Sequence, residues 1–258
     1  MAELNYTVTG NPDGPALLLV HGFLSSNAQW LPNIGPLGEH FRLVMAELWG
    51  HGDSPLPPDD HYDVDVYVSA FDRIREQEGI DAWGLVGQSY AAGLTLRYAV
   101  THPAKTTGVV VTNSASAFGD VSAARRARSN YRERPVKQAD NRHMPIHPVY
   151  ARRLPEAVKA ALVKAADNTP AEAIERGGTL APALKAVDLV EQLTVPFLLV
   201  NGQFERGFQD ARTELAARYP GLRIEDVEGG HAVNIEAADS FNAAVVRFFN
   251  ERPASTNQ

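Results

Sequence analysis

Short apolar runs alternate along this chain with longer stretches in which apolar positions recur every three or four residues. The runs at 4–9, 16–21, 42–47, 83–87, 108–112, 197–201 and 223–227 predict strands. The periodic stretches at 64–78, 90–102, 208–219 and 239–251 predict helices, the last gathering Phe241, Ala244, Val245, Phe248 and Phe249 on one side. Ala16-Leu-Leu-Leu-Val20 carries no polar position, as a strand covered on both faces requires. Strand and helix in alternation predict an α/β fold: a mainly parallel central sheet with helices on both faces. No internal repeat is present.

The alternation breaks between 118 and 193, where the helix-forming segments 155–166 and 170–176 follow one another without a convincing strand. The chain therefore divides into a core, 1–117 with 194–252, and a helical insertion, 118–193, with a disordered tail at 253–258. Charge marks the insertion as well. Between 121 and 165 stand arginines 125, 126, 128, 132, 134, 142, 152 and 153 and lysines 137, 159 and 164, against Glu133, Asp140 and Glu156, a net +8. The whole chain is −7, which leaves −15 for the remainder. Such asymmetry has two readings: the arginines steer or clamp an anionic small-molecule substrate, or they coat a wet outer face.

Composition narrows the classes further. At 258 residues, 44% hydrophobic and 21% charged, the chain can bury the core of one large domain. The absence of cysteine excludes disulfides, thiol nucleophiles and cysteine-ligated zinc. The first ten residues alternate like a strand without a basic leader, and no apolar run has membrane length, so a cytoplasmic protein is expected. Aromatics are sparse among the arginines, which argues against nucleic acid. His143 and His147 share a metal-like spacing, but Pro145 separates them and no acidic residue adjoins, so no metal is expected.

The chemistry concentrates in three places. Leu85-Val-Gly-Gln-Ser-Tyr-Ala-Ala-Gly93 runs from a strand end through a tight turn into a helix, with Gly87, Ala91 and Gly93 giving room around Ser89. A serine so placed is a nucleophile elbow or, on the plainer reading, a helix N-cap. Upstream, the strand 16–20 ends in His21-Gly22-Phe23, whose turn aims the Phe23 N–H toward the Tyr90 N–H, two donors for an oxyanion. Downstream, Val227-Glu-Gly-Gly-His231 sets a histidine after a strand and a glycine turn. Imidazole titrates close enough to neutrality to take the serine proton and return it to a leaving group.

These segments, together with the Trp49-Gly-His-Gly-Asp-Ser54 loop and Asn201-Gly-Gln-Phe-Glu205, resemble those of the α/β-hydrolase superfamily over nearly all of residues 1–252. The resemblance implies an α/β-hydrolase fold with the insertion as a helical cap over Ser89, and no cofactor. It implies a triad of Ser89, His231 and an acid, with Phe23 and Tyr90 supplying the oxyanion hole. His51 and Asp53 fall in a loop that braces the site. Where the family usually carries aspartate, this chain has Glu205, with Asp210 five residues on as the runner-up. Glutamate serves, because the acid has only to accept the histidine Nδ1–H and stabilise the imidazolium.

Leu24, Trp30, His143 and His147 are candidates to line the substrate pocket, with ordinary core or surface places as the alternative. A serine nucleophile disfavours dehalogenases and epoxide hydrolases of this fold, which attack with aspartate. The expected activity is hydrolysis of a carboxylic ester or lactone. Residues 21–30 and 202–208 also resemble the menaquinone-pathway lyases that make 2-succinyl-6-hydroxycyclohexadiene carboxylate, which keeps carbon–carbon chemistry on an anionic substrate as the second reading. A receptor with little turnover, built on the same fold, is the third.

Overall fold

The computed structural model describes residues 3–57, 62–119, 141–144 and 146–251. Seven strands form one sheet: β1 (Tyr6–Gly10), β2 (Ala16–Val20), β3 (Arg42–Ala46), β4 (Trp83–Gly87), β5 (Thr106–Thr112), β6 (Phe197–Gly202) and β7 (Arg223–Val227), in the order β1-β3-β2-β4-β5-β6-β7. Only β1 runs antiparallel to its neighbour. Each of the seven expected strands is present within two residues of its predicted ends.

The apolar runs divide between two cores by the two-residue alternation of strands. Leu18, Val20, Val44, Leu85, Val109, Val111 and Leu199 face one side, packed with helices α2 (Val64–Gln77) and α3 (Tyr90–Thr101). Leu17, Leu19, Leu43, Val86, Val110, Leu198 and Val200 face the other. There they meet α1 (Leu31–Gly38) and, after α4 (Ala115–Phe118), α5 (Glu156–Asn168), α6 (Ala171–Leu180), α7 (Gln209–Arg218) and α8 (Val233–Glu236), the last helix α9 (Ala238–Asn250). The expected helices over 64–78, 90–102, 208–219 and 239–251 are α2, α3, α7 and α9. The segments 155–166 and 170–176 are α5 and α6.

Helix α1 was not among the expected helices, and it holds Pro32, Gly35 and Pro36. Pro32 sits at the helix start, where the missing N–H costs nothing. Pro36 leaves the Pro32 carbonyl without its helical donor, and Asn242 Nδ2 of α9 takes that place at 3.3 Å. Tertiary contact thus supplies what the local sequence lacks.

Between β5 and β6 the described residues contain helices and no strand. Most of the basic stretch, residues 121–140, lies outside the described residues, as do Pro145 and the tail at 253–258. Of the arginines within view, Arg142 forms a two-pronged pair with Asp167 at 2.6 and 2.9 Å. No described helix is long and apolar enough to cross a membrane.

Candidate active site

Strand order reverses between β2 and β4: the chain leaves β2 toward one edge and β4 toward the other. Ligands of open α/β sheets bind at such a switch point, beyond the carboxyl ends of the strands. Here β2 runs into His21-Gly22-Phe23 and β4 into Gln88-Ser89, with Gln88 N–H donating to Val20 O at 3.0 Å. β6 and β7 end close by, before Glu205 and His231. Four segments of distant sequence therefore converge because parallel strands end together.

Ser89 stands at the first position before α3 with φ 51° and ψ −110°, a conformation that side-chain-bearing residues rarely adopt. Its N–H donates to Thr112 Oγ1 at 3.1 Å, which ties the turn to the end of β5. Its side chain makes no capping hydrogen bond to α3, so the geometry is that of an elbow rather than a cap. Gly87 is needed for this turn: a Cβ there would lie 2.4 Å from Thr95 Oγ1 and 2.8 Å from Ala91 O. Gly93 does a different job from the one expected, since its open side receives the backbone of Leu184 from the insertion.

The Phe23 turn abuts this elbow. A Cβ on Gly22 would lie 3.3 Å from Ser89 Cβ and 2.1 Å from Gln88 Oε1, and the Phe23 and Tyr90 rings stack with centroids 5.3 Å apart. Immediately after Phe23 the chain bends through Leu24 at φ 54°. His51 Nε2 accepts the Leu24 N–H at 3.2 Å, and its Nδ1 faces Trp49 O at 3.0 Å. His51 is thus a brace beneath the turn. Burial, with the neighbouring His21, lowers its pKa to about 3, and burial lowers His21 to about 4, so both rings are neutral acceptors at pH 7.

Because Gln88 Nε2 also donates to the His231 carbonyl at 3.3 Å, Gly22→Ala carries a specific expectation. The added methyl displaces the Gln88 amide, which links the elbow to the histidine loop. A displacement of about 1 Å there lowers kcat on a p-nitrophenyl ester roughly 100-fold. Circular dichroism should stay unchanged; a kcat within a factor of about three of wild type would show that the site tolerates the shift.

His231 Nδ1 lies 2.8 Å from Glu205 Oε1, and its imidazole is half-exposed. The surrounding protein disfavours the imidazolium, but the Glu205 hydrogen bond and charge outweigh this and hold the His231 pKa above its ordinary value. Desolvation pushes Glu205 the other way from its partners, yet the His231 bond and charge, with the Asn113 side chain, keep it below the usual glutamate value. The acid loop is built for this contact. Asn113 bridges to both the N–H and the C=O of Gly202 at 3.0 Å, and Phe204 N–H donates to Gly229 O at 2.9 Å. Asp210 is exposed on the first turn of α7.

A buried amide network, invisible to motif reading, joins the segment after the Phe23 turn to the segment after His231. Gln29 Nε2 donates to Asn234 Oδ1 at 2.8 Å, Asn234 Nδ2 to Gln29 O at 2.8 Å and Asn33 Oδ1 at 3.1 Å, and Asn33 Nδ2 to Asn242 Oδ1 at 2.8 Å. Trp30, a candidate pocket residue, is placed by the same segment in the lower core, fully buried with its ring 6.4 Å from Phe241. His147 is buried too: its Nδ1 accepts from Val149 N–H at 3.1 Å and its Nε2 lies 3.3 Å from Asp167, a structural engagement within the insertion. His143 is exposed, and Leu24 is buried beside the Phe23 turn. Among the described residues no group of three or more His, Cys, Asp or Glu is arranged to hold a metal.

Comparison with known proteins bears on the fold and the family. A family model described as "alpha/beta hydrolase fold" matches residues 15–238. The carboxylesterase YbfK of Bacillus subtilis is 24% identical over 254 residues, covering 93% of this chain and 82% of the relative. The enol-lactonase of Burkholderia xenovorans LB400 superposes with a TM-score of 0.81 at 21% identity, covering 96% of each chain. The naproxen esterase of Bacillus subtilis superposes at 0.75 with 19% identity, covering 96% of this chain and 88% of the other.

Proposed function

Because the chain belongs to the alpha/beta hydrolase fold family, we propose that it is a serine hydrolase that cleaves a carboxylic ester or lactone through a Ser89-His231-Glu205 triad. What carries the reading is a histidine–carboxylate pair at 2.8 Å, tied through Gln88 to a serine whose backbone is held at φ 51°. Ser89 Oγ attacks the carbonyl carbon while His231 Nε2 takes its proton. The carbonyl oxygen becomes an oxyanion held by the Phe23 and Tyr90 N–H groups. The imidazolium, stabilised by Glu205, then protonates the departing alkoxide, and the ester C–O bond breaks. Water, deprotonated by His231, attacks the acyl carbon; the bond from that carbon to Ser89 Oγ breaks, His231 returns the proton to Oγ, and the carboxylic acid leaves.

The insertion 118–193 serves as a cap. Its α6 packs against the oxyanion turn: Tyr90 Oη donates to Gly177 O at 3.0 Å, and a Cβ on Gly177 would lie 2.4 Å from the Phe23 ring. The wild-type protein is expected to turn over p-nitrophenyl acetate and butyrate repeatedly, and a fluorophosphonate should label Ser89 alone, as mapped by mass spectrometry. Stoichiometric ligand binding without turnover would replace this reading by the receptor one. An adduct on another residue would remove Ser89 from the mechanism.

A further inference from the structure

Beneath His231 lies a second carboxylate that the triad does not use. Glu236, the last residue of α8, has a side chain only 11% exposed. Its Oε2 accepts from Gly230 N–H at 3.0 Å and its Oε1 from Ala232 N–H at 3.3 Å. Gly230 and Ala232 flank His231, so one carboxylate ties the backbone on both sides of the histidine. Gly230 permits the approach, since a Cβ there would lie 2.7 Å from Oε1.

From the insertion, Arg153 reaches toward the same carboxylate, its Nη1 3.7 Å from Glu236 Oε2. The same guanidinium lies 4.7 Å from the centroid of the Phe204 ring, the residue before Glu205. One cation of the insertion thus touches both the acid loop and the histidine loop. A long ion pair whose arginine is 58% exposed contributes little stability, so its consequence is local electrostatics rather than anchoring.

We propose that Glu236 is a positioning residue for His231 and that Arg153 is its counter-ion, so that the insertion sets the basicity of the histidine. The catalytic consequence rests on the reading of His231 as the general base. Two bonds to the flanking peptides fix where the imidazole sits, and the charge of Glu236 favours its protonated form. The charged groups facing His231 among the described residues are Glu205 from the acid loop and Glu236 from its own loop, with Arg153 behind Glu236. Glu236 adds to Glu205 in raising the histidine. Arg153 offsets part of that addition.

The test is an NMR pH titration of the His231 imidazole in the full chain, its signal identified by its loss in His231→Gln. In Glu236→Gln the midpoint should fall by about half a pH unit, because a negative charge is removed. In Arg153→Gln it should rise by a few tenths of a unit, roughly, because the offsetting cation is gone. A purely structural tie predicts no such opposite pair. An unchanged midpoint in Glu236→Gln overturns the positioning role, and an unchanged midpoint in Arg153→Gln overturns the counter-ion role. Should Glu236→Gln fail to fold, the exposed Arg153→Gln alone decides, and absence of a rise sinks the proposal. The acidic limb of kcat/KM on p-nitrophenyl butyrate should move with each midpoint; midpoints that move while the limb stays fixed would count against His231 as the base and leave Glu236 in place.

Discussion

Ser89→Ala is expected to lower kcat on p-nitrophenyl esters by roughly 10⁵–10⁶-fold with the fold retained, and Ser89→Gly to do the same while unfolding at a higher temperature than wild type. The two effects share one cause. At φ 51° and ψ −110° the serine backbone is in a region that costs on the order of 1–3 kcal/mol for a residue with a Cβ. Glycine relieves that cost and gives back about 0.5–1 kcal/mol in unfolded-chain entropy. A net gain of about 1 kcal/mol follows, readable in urea or thermal unfolding. An ordinary N-cap predicts the reverse, since removing a capping hydroxyl destabilises by about 1 kcal/mol and leaves activity alone. Loss of stability in both variants with turnover within tenfold of wild type would return Ser89 to that structural role.

The strain also explains why the elbow could be read from sequence. Small residues around a serine between an apolar run and a periodic stretch are what that backbone demands, and Gly87 meets the demand by leaving space for Thr95 and Ala91 O. The strands were legible for a similar reason: β2, β4 and the Gly108–Val111 stretch of β5 are covered on both faces and exclude polar residues. Helix α1 was not, because Pro36 is tolerated only through Asn242, more than 200 positions away. The same distance hides the amides Gln29, Asn33, Asn234 and Asn242, each of which looks like a surface residue until its partner is in view. Their one local signal is that Asn33 and Asn242 fall on apolar faces of helices, at positions where a leucine would be expected. For Trp30 the residue type alone left pocket wall and core as alternatives, and only the path of its segment, which packs it against Phe241, places it in the core. Glu236 was passed over because a lone acid in a short helix carries no motif, and only the paired N–H groups of Gly230 and Ala232 give it meaning.

Glu205→Gln tests the least conventional residue of the proposed triad. The Glu205–His231 contact at 2.8 Å requires an N–H on Nδ1 and an acceptor on the acid, which leaves Nε2 free to take the serine proton. Glutamine can present its amide N–H₂ instead, which favours the tautomer with the proton on Nε2 and blocks that transfer. The expected result is a fall in kcat of roughly 10³–10⁴-fold with KM little changed, since no ground-state contact to substrate is removed. The pH profile adds a second, independent sign. His231 is raised by Glu205 in the wild type, so activity is lost as pH falls through that raised value and the base becomes imidazolium. Removing the Glu205 charge lets the imidazole deprotonate more readily, so the residual activity of Glu205→Gln should hold to lower pH than the wild type does. Asp210→Asn supplies the contrast: exposed on α7, it should leave both kcat and the acidic limb where they are. A Glu205→Gln protein that keeps most of its turnover, or an acidic limb that moves upward, would mean that His231 is oriented by something other than this carboxylate. Glu236 would then be the remaining acid close enough to consider, and the titration that separates its charge from its grip on the backbone would decide between them.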